Sequence, residues 1–86
     1  MVTAEQIRAG RAAVGWSAEQ LAKAAGIVRR TVVAMEGAQG VPSSNAQTLQ
    51  KIISALEAAG IEFIGAPNDA PGIRIHAQGG DRDTER

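Results

Sequence analysis

The stretch from Ser17 to Gly37, SAEQLAKAAGIVRRTVVAMEG, predicts two short helices joined by a tight turn. Ser17 and Gln20 have the spacing of a capping box, which satisfies amide groups at the start of a helix. Gly26 can adopt the left-handed conformation that ends the first helix, and apolar residues recur at helical spacing on both sides of it. Two helices of about two turns joined by a glycine-containing turn are typical of a helix-turn-helix unit.

This unit resembles the phage-repressor/Cro-like (XRE-type) family of helix-turn-helix DNA-binding proteins, over roughly residues 3–60. The segments that match the family pattern in order and spacing are Gly15-Trp16-Ser17, Leu21-Ala22, Gly26-Ile27, Thr31-Val32 and Met35-Glu36-Gly37. The chain departs from the pattern at Ala18, where the family often has a phosphate-binding Gln, and at Val28, where it often has a capping Ser. The resemblance implies an all-α four-helix bundle of the lambda-repressor type that carries the helix-turn-helix.

The flanking segments complete this expected fold. A capping box of Thr3 and Gln6 predicts a first helix over about residues 4–14, and an apolar stripe predicts a fourth over about residues 46–59. After Gly60 the apolar period changes to two, which predicts short strands at 61–64 and 73–76. We therefore expect a DNA-binding domain at 1–60, a β segment at 61–76 and a disordered tail at 77–86.

Composition narrows the class of protein. The chain has 86 residues, no cysteine, and Trp16 and Phe63 as its aromatic residues, so we expect one small aliphatic core without a disulfide. It contains neither an apolar run of about 20 residues nor a signal-peptide pattern, which favours a cytoplasmic protein without a membrane partner. No cluster of potential ligands or catalytic triad is evident, and we expect no metal, no cofactor and no enzymatic activity.

Charge is unevenly distributed, although the net charge is zero. Residues 1–51 hold six basic and three acidic side chains, which gives +3, and residues 52–86 hold three basic and six acidic side chains, which gives −3. Such an asymmetry suits a DNA-facing half and a solvated remainder. The excess is small, so we expect modest non-specific affinity for DNA.

The recognition helix is expected at residues 28–36, with its N-terminal end in the major groove. Arg29 and Arg30 are suited to bridge O6 and N7 of guanine, and Thr31 can bind a phosphate or touch a thymine methyl. Val33 and Ala34 lie one turn later on the outward side, where Val33 can contact a thymine methyl. The alternative is that both arginines contact phosphates alone, which sets the register without reading sequence.

A second set of residues is expected to bind DNA phosphates through polar side chains. Its members are Ser17, Gln20, Gln39, Ser43, Ser44 and Asn45. The loop that holds four of them has no basic residue, but the positive end of the following helix favours an anion there. Helix capping and turn formation explain the same residues equally well.

Arg11 and Glu36 are expected to form a structural pair. Arg11 lies in the apolar stripe of the first helix and so requires a partner. In the family that this chain resembles, an arginine at this position pairs with the glutamate that ends the recognition helix, and both positions match here. The alternative is a solvated Arg11.

The two predicted strands are expected to form the interface of a homodimer. Ile61, Phe63, Ile73 and Ile75 share one face, whereas Ile64 faces the opposite way. Unpaired strand edges are templates for another chain, so we expect an intermolecular sheet, with or without exchange of strands. The alternative is a hairpin that folds back on its own helices.

Together these features predict a sequence-specific, dimeric regulator of transcription that binds double-stranded DNA, with repression as the expected mode by family analogy. Two alternatives remain open. One is the antitoxin of a toxin–antitoxin pair, which binds DNA but has a protein as its main partner. The other is a protein-interaction module that uses the helix-turn-helix fold without DNA.

Overall fold

A computed structural model of the protein describes residues 2–43 and 45–76. Its elements are, in order, α1 (Ala4–Ala13), α2 (Ala18–Ala25), α3 (Arg29–Glu36), α4 (Ala46–Ala58), β1 (Ile61–Ala66) and β2 (Asp69–Ile75). The helix boundaries agree with the sequence analysis to within one residue at each end. The expected tail at 77–86 lies outside the described residues.

Side-chain caps explain where three of the helices begin. In α1 the Thr3 hydroxyl accepts from the Gln6 amide, and the Gln6 side chain accepts from the Thr3 amide. Ser17 and Gln20 form the same capping box at α2, whereas Asn45 caps α4 alone. Each cap satisfies an amide that has no partner within its helix.

The core is aliphatic and is shared by all four helices and the first strand. The fully buried apolar side chains at its centre are Ile7, Leu21, Val32, Ile52, Leu56 and Ile61. Trp16, Phe63 and Ile73 pack against this cluster while remaining partly exposed. A residue of the C-terminal segment, Ile61, is therefore part of the same buried core as the central residues of the helices.

The expectation of an all-α four-helix bundle is wrong. The described residues form four helices and a two-stranded antiparallel sheet, and the sheet packs on α1 and α4 as part of the same fold. Helices α2 and α3 have eight residues each, a length of about 12 Å, which is too short to line one side of a bundle. The hairpin covers the apolar surface of α1 and α4 that further helix packing would cover in a bundle.

The hairpin is longer than its sequence pattern indicated. Strand β1 ends at Ala66 and strand β2 begins at Asp69, so that Pro67 and Asn68 form the turn between them. One extra residue in β2 makes a β-bulge, in which Ala70 and Pro71 lie opposite Gly65. Gly65 and Ala70 both have positive φ, of 83° and 55°. A Cβ at position 65 would collide with the Ala70 carbonyl oxygen, so the bulge requires glycine there.

Gln6 anchors the hairpin to α1. Its side-chain Nε2 donates to the carbonyl oxygens of Ile64 (2.9 Å) and Gly72 (2.8 Å), which face each other across the two strands. The strands thus pair within the chain and fold back on its own helices, without exchange. The expected homodimer is a separate question and stays a prediction.

The outer face of the hairpin carries a small charged cluster. Glu62 Oε1 lies 3.1 Å from Arg74 Nη1 and 2.8 Å from His76 Nε2. The hydrogen bond from His76, with a smaller effect of the Arg74 charge, lowers the pKa of the Glu62 carboxyl below its ordinary value of 4.5. All three side chains are largely exposed.

None of the helices in the described part of the chain has both the length and the apolar character needed to cross a membrane.

Replacing Gln6 should distinguish the contribution of the hairpin anchor to the free energy of unfolding from the contribution of the helix cap. Gln6→Met removes the capping bond and two bonds to the hairpin, whereas the control Gln20→Met removes a capping bond at an exposed site. We expect Gln6→Met to reduce the free energy of unfolding by about 1–3 kcal/mol more than Gln20→Met does. Urea unfolding followed by circular dichroism measures both; equal losses would show that the anchor contributes nothing.

The Glu62 cluster should make stability depend on pH. Because the pKa of Glu62 is lower in the folded state, its charge stabilises the fold above pH 4.5, and this contribution is lost as the pH falls through the folded pKa. Between about pH 5 and about pH 3 the unfolding free energy should decline more steeply for the wild type than for Glu62→Gln. Glu57→Gln, at an exposed site on α4, is the control and should match the wild type.

Candidate nucleic-acid interface

Helix α3 has one face in the core and one face in solvent. Val32 and Met35 pack inward and Glu36 is also buried. The opposite face carries the residues predicted to contact bases. Of these, Arg29, Arg30, Val33 and Ala34 are exposed, and Thr31 is half-buried. Val33 is 46% exposed, so an apolar side chain is presented to solvent on this face.

The C-terminal end of α3 is fixed by the Arg11–Glu36 pair. Arg11 donates from Nε to Glu36 Oε2 (2.6 Å) and from Nη2 to Oε1 (2.9 Å), which is a bidentate ion pair. A third bond joins Nη1 to the Trp16 carbonyl oxygen (2.9 Å). The Glu36 side chain is 10% exposed and that of Arg11 24%. The hydrogen bond to Glu36, opposed by burial, raises the pKa of Arg11 above its ordinary value.

A second arginine of α1, which the sequence analysis did not single out, reaches the same end of α3. Arg8 Nη1 donates to the backbone carbonyl oxygen of Glu36. This carbonyl belongs to the last turn of α3, where carbonyls lack partners within the helix. The spacing of Arg8 and Arg11, three residues apart on α1, was the available signal, because such residues are neighbours on a helix surface.

The N-terminal end of α3 is less constrained. Val28 occupies the N-cap position in extended conformation, and no side chain in the described ranges caps the helix there. Its own side chain is 61% exposed. The positive end of the α3 dipole is therefore open beside Arg29 and Arg30, which favours an anionic group at this point.

A cleft of about 380 Å³ joins α3 to the loop that follows it. Its lining residues are Arg30, Thr31, Ala34, Met35, Ala38 and Ser43. The cleft thus brings Arg30 and Thr31, predicted from the helix, next to Ser43, predicted from the loop. Helix and loop together form one continuous surface with hydrogen-bond donors.

Three of the other predicted phosphate contacts, Ser17, Gln20 and Asn45, have partners within the chain. Ser17 and Gln20 are exposed and cap α2. The Gln20 side-chain oxygen accepts from the Ser17 amide at 2.7 Å, and the Ser17 hydroxyl accepts from the Gln20 amide at 3.1 Å. Asn45 is exposed and accepts from the Thr48 amide at 2.7 Å. Gln39 lies exposed in the loop. The capping role considered for Ser17, Gln20 and Asn45 is thus present; Ser44 lies outside the described residues.

The residues predicted for a dimer interface differ widely in exposure. Ile61 is 2% exposed and packs in the core near Gly10, so it is unavailable to a partner in this structure. Phe63, Ile64 and Ile73 are half-buried, whereas Ile75 is 62% exposed. The physical reason is that the hairpin packs on α1 and α4, which bury Ile61, cover Phe63 and Ile73 in part and leave Ile75 exposed.

Across residues 2–43 and 45–76, no group of three or more His, Asp or Glu side chains is placed to hold a metal ion. Comparison with known proteins adds no further constraint, since no protein-family model and no curated protein matches the chain. The function must therefore be argued from the geometry of α3 and its surroundings.

Loss of either partner of the Arg11–Glu36 pair should destabilise the protein by about 3–5 kcal/mol, because a largely buried charge is left unpaired. A double-mutant cycle with Arg11→Met and Glu36→Met isolates the coupling between them. The exposed pair Glu62–Arg74 provides a control, for which a much weaker coupling is expected because solvent screens both charges. Equal coupling energies in the two cycles would contradict the structural role of the Arg11–Glu36 pair.

Proposed function

We propose that the protein is a sequence-specific regulator of transcription that binds double-stranded DNA through α3. One observation carries the proposal. Helix α3 is fixed at its C-terminal end by Arg8 and Arg11, while its N-terminal half presents Arg29 and Arg30 in solvent. An exposed helix face with two guanidinium groups on a rigid support matches what major-groove reading requires.

The chemistry of this face supports a division of roles. Arg29 and Arg30 bind the O6 and N7 acceptors of guanine, and Val33 and Ala34 contact thymine methyl groups. Thr31 and Ser43, which line the same cleft, donate to phosphate oxygens and set the register of α3 on the duplex. The open positive end of the α3 dipole adds attraction for a phosphate.

The charge distribution predicts how binding responds to salt. Residues 1–51 carry an excess of +3, so few counterions are released when the surface meets DNA. Non-specific affinity is accordingly weak and specific contacts dominate selection. Repression, by occupation of a site that polymerase needs, is the proposed mode, and the proposed location is the cytoplasm.

Selection of bound sequences from a random DNA pool tests the proposal directly. A recovered motif should contain guanines that depend on Arg29 and Arg30. Arg29→Ala and Arg30→Ala should each weaken binding to that motif by about 1–3 kcal/mol and relax preference at one base pair. Fluorescence anisotropy measures the affinities.

Arg74→Ala on the hairpin is the matched control, since it removes the same charge from an exposed site and should leave affinity nearly unchanged. If the two substitutions reduce affinity equally for all DNA sequences and make the salt dependence of binding shallower, then Arg29 and Arg30 contact phosphates instead of bases. Absence of any salt-dependent binding to DNA would refute the proposed function and favour a protein-interaction module.

A further inference from the structure

Two exposed valines flank the arginine pair of α3. Val28 is 61% exposed and Val33 46%, and together with Ile75 on the hairpin they are the exposed large apolar side chains of the described residues. Val28 directly precedes Arg29. Val33 follows Arg29 by four residues and Arg30 by three, the two spacings that make side chains neighbours on a helix surface. Apolar groups and guanidinium groups are therefore interleaved on one surface.

Local stability does not explain either valine. Valine is among the least favoured residues at an N-cap, and no side-chain hydrogen bond from the described residues caps α3 at Val28. Within a helix, the β-branched side chain of Val33 loses rotamer freedom. Neither valine belongs to the core cluster or to the apolar side chains that pack against it. Residues that break local preferences without a compensating contact inside the chain indicate a contact outside it.

The same surface has donors and apolar groups but lacks acceptors. The exposed residues of α3 are Arg29, Arg30, Val33 and Ala34, and its one carboxylate, that of Glu36, is buried in an ion pair. The exposed part of α3 therefore has no side chain that can accept from the amino groups of adenine and cytosine. Guanidinium groups suit guanine, and apolar groups suit the C5-methyl group that a methylated pyrimidine presents in the major groove.

We propose that α3 recognises C5-methylated pyrimidines beside the guanines that it reads, so that methylation of cytosine within the site raises affinity. The methyl group belongs either to thymine or to 5-methylcytosine. Val33, which neighbours both arginines, contacts one methyl group, and Val28 contacts a second one beyond Arg29. This inference rests on the proposed function and makes binding depend on the chemical state of the DNA as well as on its sequence.

Each methyl contact has a small but measurable effect on affinity. Removal of one methyl-sized apolar group from water changes an equilibrium constant by about fourfold. A bidentate contact between arginine and guanine discriminates more strongly than that. The guanines therefore remain the main determinant of the site, and the methyl contacts select among sites that share the same guanines.

Selection from two random DNA pools tests the inference, one pool synthesised with cytosine and the other with 5-methylcytosine in its place. The first pool should yield a motif with thymine beside guanine, and in the second pool 5-methylcytosine should join thymine at that place. A motif whose guanines have neither neighbour would overturn the inference, and absence of 5-methylcytosine there would overturn the role of cytosine methylation. Absence of binding to both pools would refute the proposed function itself.

Fluorescence anisotropy on synthetic duplexes isolates the methyl group. Thymine and uracil differ at C5 by this group alone, as do 5-methylcytosine and cytosine. For the wild type we expect binding to weaken by about fourfold when the methyl group is absent. Val33→Ala should remove most of this difference at one position of the motif, and Val28→Ala at another.

Ile75→Ala is the matched control, since it truncates a comparably exposed apolar side chain on the hairpin and should keep the full difference at both positions. Circular dichroism verifies that the three variants are folded. Equal affinities of the wild type for duplexes with and without the methyl group would refute methyl recognition, while the binding itself would still support the proposed function. A methyl effect that persists in both valine variants would overturn the assignment to Val28 and Val33.

Discussion

The bidentate pair between Arg11 and Glu36 is the interaction on which the placement of α3 depends. Its guanidinium also binds the Trp16 carbonyl, so one side chain joins α1, the corner before α2 and the end of α3. Burial opposes the charge of Arg11, and the short hydrogen bonds to Glu36 offset that penalty. Directional bonds of this kind fix an orientation that apolar contacts of Val32 and Met35 leave adjustable.

Helix α1 positions both the hairpin and α3, because helical geometry directs its polar side chains to two different sides. Gln6 and Arg8 are two residues apart, about 200° around the helix axis, and reach the hairpin and α3 respectively. Between these contacts, Gly10 lets Ile61 approach the helix closely, since a Cβ there would lie 3.3 Å from the Ile61 Cγ2. The relative placement of hairpin and α3 therefore follows from one short helix.

Local signals in the sequence were sufficient for the helices but not for the fold class. Capping residues such as Thr3, Ser17 and Asn45 act within one turn, so the starts of α1, α2 and α4 could be read directly. The strands at 61–64 and 73–76 could be read from their apolar period of two. Their extension to Ala66 and Asp69 and their anchor on α1 could not, because the bulge at Gly65 looks like loop sequence and the anchoring glutamine lies 58 residues before Ile64 in the chain. For the same reason Ile61 was assigned to a dimer interface rather than to the core. The DNA-binding role of α3 and the dimer remain predictions.

The missing cap at Val28 has a consequence for the thermodynamics of recognition. The first turn of α3 is held by backbone bonds, whereas its last turn is also held by two arginines, so fewer contacts restrain the end that carries Arg29 and Arg30. Ordering that turn on a target surface carries an entropic penalty that a capping serine would already have reduced. In the DNA complex proposed above, this penalty lowers the affinity of α3 for every surface that orders its first turn.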